Sequence, residues 1–184
     1  MEIMLASTSP RRRMLLRKFW KIRCVRSRFP EKMLRTPEET VAANALGKAE
    51  EVATRYKGKI VVGADTVVYS GKILGKPKNK KEAEKILKKI SGKWIKVYGG
   101  IAVVKDQLKE VKVVVTKVKM KRMGKKDIKN YIATGEPLDK AGAFGAQGIG
   151  ALLIERIEGD YFNVVGISLF TLNEMLNKFK KKER

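Results

Sequence analysis

Val61-Val62-Gly63-Ala64-Asp65-Thr66-Val67-Val68 is an apolar run with one carboxylate and one hydroxyl set in its middle. A valine-rich run of this length predicts a buried strand, where an ionised Asp is costly without a partner. The chain has no histidine. The partner of Asp65 is therefore a metal ion, a lysine, an arginine or the counter-ion of a substrate phosphate. An Asp that only caps the turn after the strand is the other reading, and this segment alone leaves both open.

Three further groups of residues could serve a phosphorylated ligand. In Ser7-Thr8-Ser9-Pro10-Arg11-Arg12-Arg13, Ser9 is a natural N-cap and Pro10 a natural first helical residue. Cations are unfavourable in a first helical turn unless an anion joins them, and the free amides there attract one. The segment reads as a phosphate grip, with a solvated basic turn as the plain alternative. Lys76 stands between Gly75 and Pro77 on a stiff loop, where Gly75 allows close backbone approach. Gly142 to Gly150 holds four glycines in nine residues, a loop able to bring amides against a ligand, but without a Gly-Lys-Ser/Thr ending.

The elements that must position these groups follow from periodicity and caps. Strands are expected at residues 3–6, 22–25, 61–68, 94–104, 110–120 and 152–157. The segment at 110–120 alternates, with Val111, Val113 and Val115 inward. A first helix starts at Pro10 and buries Leu15, Leu16 and Phe19. Thr36-Pro37-Glu38-Glu39 opens a helix with a full capping box, buried along Val41, Ala42, Ala45, Leu46, Ala49, Val52, Ala53 and Tyr56. Lys48 falls at the edge of that face, where a lysine usually snorkels to water. Helices also start at Asn79 and Ser168, a short one spans residues 125–133, and the basic tail at 178–184 is expected to fray.

The chain has 184 residues, 43% of them hydrophobic, enough for a single domain over 1–184 with one substantial core or two lobes. No run approaches the roughly 18 apolar residues of a membrane span, and Arg11 to Arg13 break any signal-peptide pattern. A cytoplasmic location with no membrane partner is expected. The single cysteine, Cys24, excludes an internal disulfide, and with no histidine any metal would be a hard cation on oxygen ligands, Mg²⁺ or Mn²⁺. The net charge of +23 suits polyanions in general. Its diffuse spread, with no aromatics interleaved in a basic stripe, argues against nucleic acid as the main partner.

Taken together, Leu5-Ala6-Ser7-Thr8-Ser9-Pro10-Arg11-Arg12, Gly63-Ala64-Asp65-Thr66-Val67, Gly75-Lys76-Pro77, Gly135-Glu136-Pro137-Leu138-Asp139-Lys140-Ala141-Gly142 with Gln147-Gly148, and Gly159-Asp160-Tyr161 up to Gly166 resemble the Maf family of nucleoside triphosphate pyrophosphatases. The motifs stand in the family's order from Ile3 to about Leu176, and the block at 135–148 is similar to the branch acting on dTTP and UTP. The resemblance implies an α/β, Maf/ITPase-like two-lobed fold: a mixed, bent sheet flanked by helices, with a central nucleotide cleft, in a homodimer. It implies hydrolysis of dTTP or UTP to the monophosphate and pyrophosphate with a divalent metal. By motif position, Asp65 matches the proton acceptor, and Ser7, Arg11, Arg12, Lys48 and Lys76 match the phosphate-binding residues. Arg11, Thr66 and Gln147 match positions tied to base choice. Glu31 matches one acid of an Asp-Glu pair that would join Asp65 at the metal, but Pro30 stands where the other acid usually is. Ser168 and Gly99 replace a usual Pro and Thr. A basic regulator that binds nucleotide or nucleic acid, linked to cell-division arrest, is the alternative reading; it could dispense with Asp65 but not with Arg11 or Lys76.

Overall fold

The computed structural model describes residues 2–181; Met1 and residues 182–184 lie outside the description. The described residues form seven strands and six α-helices. Strand β1 (Glu2–Ala6) pairs in parallel with β2 (Lys21–Cys24) and with β3 (Ile60–Tyr69). The short β4 (Ile73–Leu74) folds back antiparallel on β3. Next come β5 (Trp94–Lys105), β6 (Leu108–Met120) and β7 (Ile154–Glu158), the last antiparallel to β6. The mixed sheet runs β2-β1-β3-β5-β6-β7.

The chain divides into two compact units. The first holds the residues up to Thr66, Gly99–Val114 and those from Gly166 onward. It holds β1, β2 and the first part of β3 together with α1 (Pro10–Leu16), α2 (Pro37–Arg55) and α6 (Leu169–Lys181). Its core includes Met4, Ala6, Ala45, Ala49, Val52, Val61, Ala102 and Val104. At two positions the sheet has no side chain under α2. A Cβ on Gly63 would collide with the carbonyl of Ala45, and one on Gly100 with that of Val41. Helix backbone and strand backbone are thus in direct contact.

The second unit comprises Val67–Tyr98 and Val115–Val165. Its core joins α3 (Lys80–Ile90) and α4 (Lys125–Ala133) through Leu87, Ile90, Ile95, Val97, Met120, Ile128 and Tyr131. The short α5 (Tyr161–Val165) also belongs to it.

Several expectations shift. Phe19 lies beyond the end of α1 and is 59% exposed, so it is not part of that helix's buried stripe. The phase of β6 reverses locally: Val115 is exposed and Thr116 fully buried. The Thr116 hydroxyl donates to the Asp160 carbonyl at 3.0 Å and accepts from the Asn163 amide at 3.0 Å, which makes a polar inward residue affordable. Within the basic tail, expected to fray, α6 continues to Lys181, and Lys178 donates to Glu110 at 3.0 Å. The rest of that expectation lies outside the described residues. Ser168 accepts from the amide of Thr171, so the departure from a usual Pro still closes the start of α6.

Candidate active site

The first unit's site is built on α2. Thr36 and Glu39 close its capping box reciprocally, at 3.1 and 3.2 Å. Beyond the cap, one face of α2 holds the irregular segment 25–36 in antiparallel sense. Glu51 accepts from the Arg28 amide at 2.9 Å, and the Phe29 ring lies over Gly47, where a side chain would collide with it. Asn44 accepts from the Lys32 amide at 2.8 Å and donates to the Lys32 carbonyl at 3.0 Å, and Thr40 accepts from the Leu34 amide at 3.0 Å. Residues three or four apart share a helix face, so these four positions make one continuous rail. Glu31 is carried on it.

Asp65 is buried on β3, facing the same helix. One carboxylate oxygen accepts from Lys48 Nζ at 2.9 Å and the other from Asn44 Nδ2 at 3.0 Å. Lys48 Nζ also meets Glu31 Oε1 at 2.6 Å. A single ammonium therefore bridges two carboxylates, and a lysine is the partner that Asp65 required. The side chains of Lys48 and Asp65 are 10% and 11% exposed, while Glu31 is 65% exposed. Lys48 does not snorkel; it turns inward because the buried carboxylate outweighs access to water.

Arg12 lies beside this cluster. Its Nη2 donates to the Thr66 hydroxyl at 2.9 Å, its Nε to the Gly166 carbonyl at 2.9 Å and its Nη1 to the Ser7 hydroxyl at 3.3 Å. Ser9 caps α1 as expected, accepting from the Arg12 amide at 3.4 Å. Burial pushes the Arg12 guanidinium below its ordinary value; the charge of Asp65 opposes this, Arg11 adds to it and Glu31 opposes it. Thr66 also donates to the Gly166 carbonyl at 3.3 Å, so its hydroxyl proton is engaged in holding Arg12's frame.

Lys76 and Gln147 lie in the second unit. Lys76 is exposed, on a loop tied to the 135–142 block by the Gly142 amide donating to the Gly75 carbonyl at 3.1 Å. Beyond its chain neighbours, no atom of the described residues lies within 4 Å of the position a Cβ on Gly75 would take. Gln147 is half-buried, between Gly145 and Gly148. The structure thus brings Ser7, Arg12, Glu31, Lys48, Asp65 and Thr66 into one cluster in the first unit. Asn44 belongs to it and was not singled out from the sequence. The signal was a polar residue within the apolar stripe of α2, one turn before Lys48.

Among the described residues, no three of His, Cys, Asp and Glu converge. Asp65 and Glu31 remain as two carboxylates sharing one lysine. Such a pair fits a hard cation of the Mg²⁺ type, which takes one or two carboxylates and completes its shell with water and substrate phosphate.

The family described as Maf-like protein matches residues 2–179. A dTTP/UTP pyrophosphatase of Dictyoglomus thermophilum is 47% identical over 184 residues, covering 96% of this chain and 95% of that protein. Proteins of the same name are 46% identical in Dictyoglomus turgidum, covering 97% and 96%, and 44% identical in Methanosarcina mazei, covering 96% and 93%. Matched by the family along residues 2–179 and by such relatives over nearly its whole length, the chain belongs to the Maf-like protein family.

Proposed function

We infer that the protein is a nucleoside triphosphate pyrophosphatase that hydrolyses dTTP and UTP to the monophosphate and pyrophosphate. Relatives bearing the name dTTP/UTP pyrophosphatase at 44–47% identity support the substrate class. The observation that carries the chemistry is the buried Asp65 carboxylate, held by an ammonium and an amide beside a half-buried guanidinium.

Asp65 is the general base in this reading. Its two oxygens are fixed by Lys48 and Asn44, and each keeps a lone pair that can receive a proton from an attacking water. The water oxygen bonds to the α-phosphorus, the bond from that phosphorus to the bridging oxygen breaks, and pyrophosphate leaves. Lys48 balances the charge that Asp65 and Glu31 bring together. Arg12, fixed by Ser7, Thr66 and Gly166, presents a preorganised cation to phosphate oxygens, with Arg11 beside it. Lys76 neutralises leaving phosphate, and Gln147 contacts the base, as their motif positions imply. Thr66 acts on base choice only through its motif position; its hydrogen bonds support Arg12. Mg²⁺ or Mn²⁺ would be held by Asp65 and Glu31 and would offset charge on the phosphates. A cytoplasmic homodimer belongs to the same proposal and rests on the sequence reading and the family resemblance.

Product analysis by phosphorus NMR tests the reaction. Turnover of UTP and dTTP with Mg²⁺ or Mn²⁺ should yield monophosphate and pyrophosphate. Diphosphate and orthophosphate would contradict the assignment.

A further inference from the structure

We propose that Glu136 is a positioning residue for base selection, its carboxylate fixing the glycine-rich turn that carries Gln147. The proposal rests on the reading of Gln147 as the base contact. Three donors converge on this one carboxylate. The amide of Ile149 donates to Oε2 at 2.9 Å, and the amide of Gly150 and the Tyr131 hydroxyl both donate to Oε1 at 3.0 Å. Tyr131 is buried on α4, so it anchors the carboxylate to the unit's core. Burial, then the charge of Glu136 and its hydrogen bond, push the Tyr131 phenol up, which keeps it a donor.

The glycines of the turn serve this anchorage. Gly148 has φ +77°, and a Cβ there would lie 2.7 Å from Glu136 Oε2. A Cβ on Gly150 would strike the Tyr131 hydroxyl, and one on Gly145 would lie 2.6 Å from Cε of Lys140. Lys140 in turn donates to the Glu136 carbonyl at 2.9 Å and to Asp139 at 2.7 Å. The Glu136 carboxylate thus holds the turn after Gln147, and before it Lys140 packs against Gly145, whose amide is hydrogen-bonded to Tyr131. Turn amides of this kind commonly bind phosphate. Here two of them are taken by an internal carboxylate, which leaves the turn to neutral recognition.

Such anchorage matters for a base-reading amide. Uracil offers a carbonyl acceptor and an N–H donor, cytosine an amino donor and a ring-nitrogen acceptor, and a glutamine amide can satisfy either pattern by rotating. Glycine-rich backbone has unusual freedom. A turn held on both sides limits the poses Gln147 can adopt, and so makes one pattern favourable and the other costly.

The test measures kcat/KM for UTP and CTP in Glu136→Gln, Tyr131→Phe and Gln147→Ala. Glu136→Gln replaces an acceptor by a donor that meets a backbone N–H. It should lower the UTP-to-CTP ratio about tenfold, mainly through a higher KM for UTP, while kcat for UTP stays within about threefold. Tyr131→Phe should lower the ratio about twofold to threefold, as expected for losing one of the three donors. Should Glu136→Gln fail to fold, Tyr131→Phe decides, and an unchanged ratio overturns the proposal. A ratio that falls in Gln147→Ala but holds in folded Glu136→Gln overturns the positioning role alone. A ratio that holds in Gln147→Ala overturns base reading by Gln147, and the positioning role with it.

Discussion

Lys48 carries one charge between two acids that differ in surroundings. Its bond to Asp65 is buried on both sides, whereas Glu31 is largely solvated. Exposed ion pairs contribute little, about 0–1 kcal/mol, while breaking a buried pair costs about 3–5 kcal/mol. Stability at the site therefore depends on the Lys48–Asp65 contact and on Asn44, which joins Asp65 to the segment bearing Glu31. Asn44→Ala removes three hydrogen bonds, one of them to a carboxylate, and should destabilise the protein by about 2–4 kcal/mol. Thermal melting should show a loss of about 5–15 °C, and kcat for UTP should fall at least about tenfold as Asp65 loses one of its two fixed oxygens. An unchanged kcat in a folded Asn44→Ala protein would separate Asn44 from the chemistry. The sequence made Asp65 legible because a lone carboxylate in a valine run demands a partner. It did not reveal Lys48 as that partner, since a lysine at the edge of an apolar stripe has the same pattern whether it turns inward or outward.

At the scale of elements, α2 decides the site, since it contributes Asn44 and Lys48 and holds residues 25–36. Its distance from β3 is set by Gly63, whose missing side chain admits the Ala45 carbonyl. Gly63→Ala would force the helix away from the strand that bears Asp65. Overpacking of this kind costs about 1–3 kcal/mol, and both the melting temperature and kcat should drop together. A variant with wild-type kcat would show that the helix-to-strand distance does not govern the cluster. Helix starts were legible because caps are local: Ser9, Thr36 and Asn79 accept from the amides expected of them. The path of residues 25–36 was not, because its bonds run to a helix that follows it by sequence distances of 6–23 residues. The inward turn of Thr116 was hidden for the same reason, its partners being Asp160 and Asn163.

The whole molecule carries a net charge of +23. Spread over the surface, that charge raises the local concentration of polyanions, a nucleoside triphosphate among them, and salt screens it over about 10 Å at 0.1 M. Raising the salt from about 0.05 M to about 0.5 M should lower kcat/KM for UTP by about threefold to tenfold while leaving kcat nearly constant. A flat kcat/KM would mean that encounter is not steered by the overall charge. No helix among the described residues is long and apolar enough to cross a membrane. The central claim is that this chain breaks the α-β phosphoanhydride of dTTP and UTP with Asp65 as base. Its most direct test is pyrophosphate release from UTP by the wild-type protein and by Asp65→Asn. The variant keeps the side chain's shape and a carbonyl for Lys48 but removes one charge of the buried pair, so it should fold while melting about 5–20 °C below the wild type. The wild type should release pyrophosphate, and the variant should lose at least about 10²-fold in kcat. Equal rates in the two folded proteins would contradict the account.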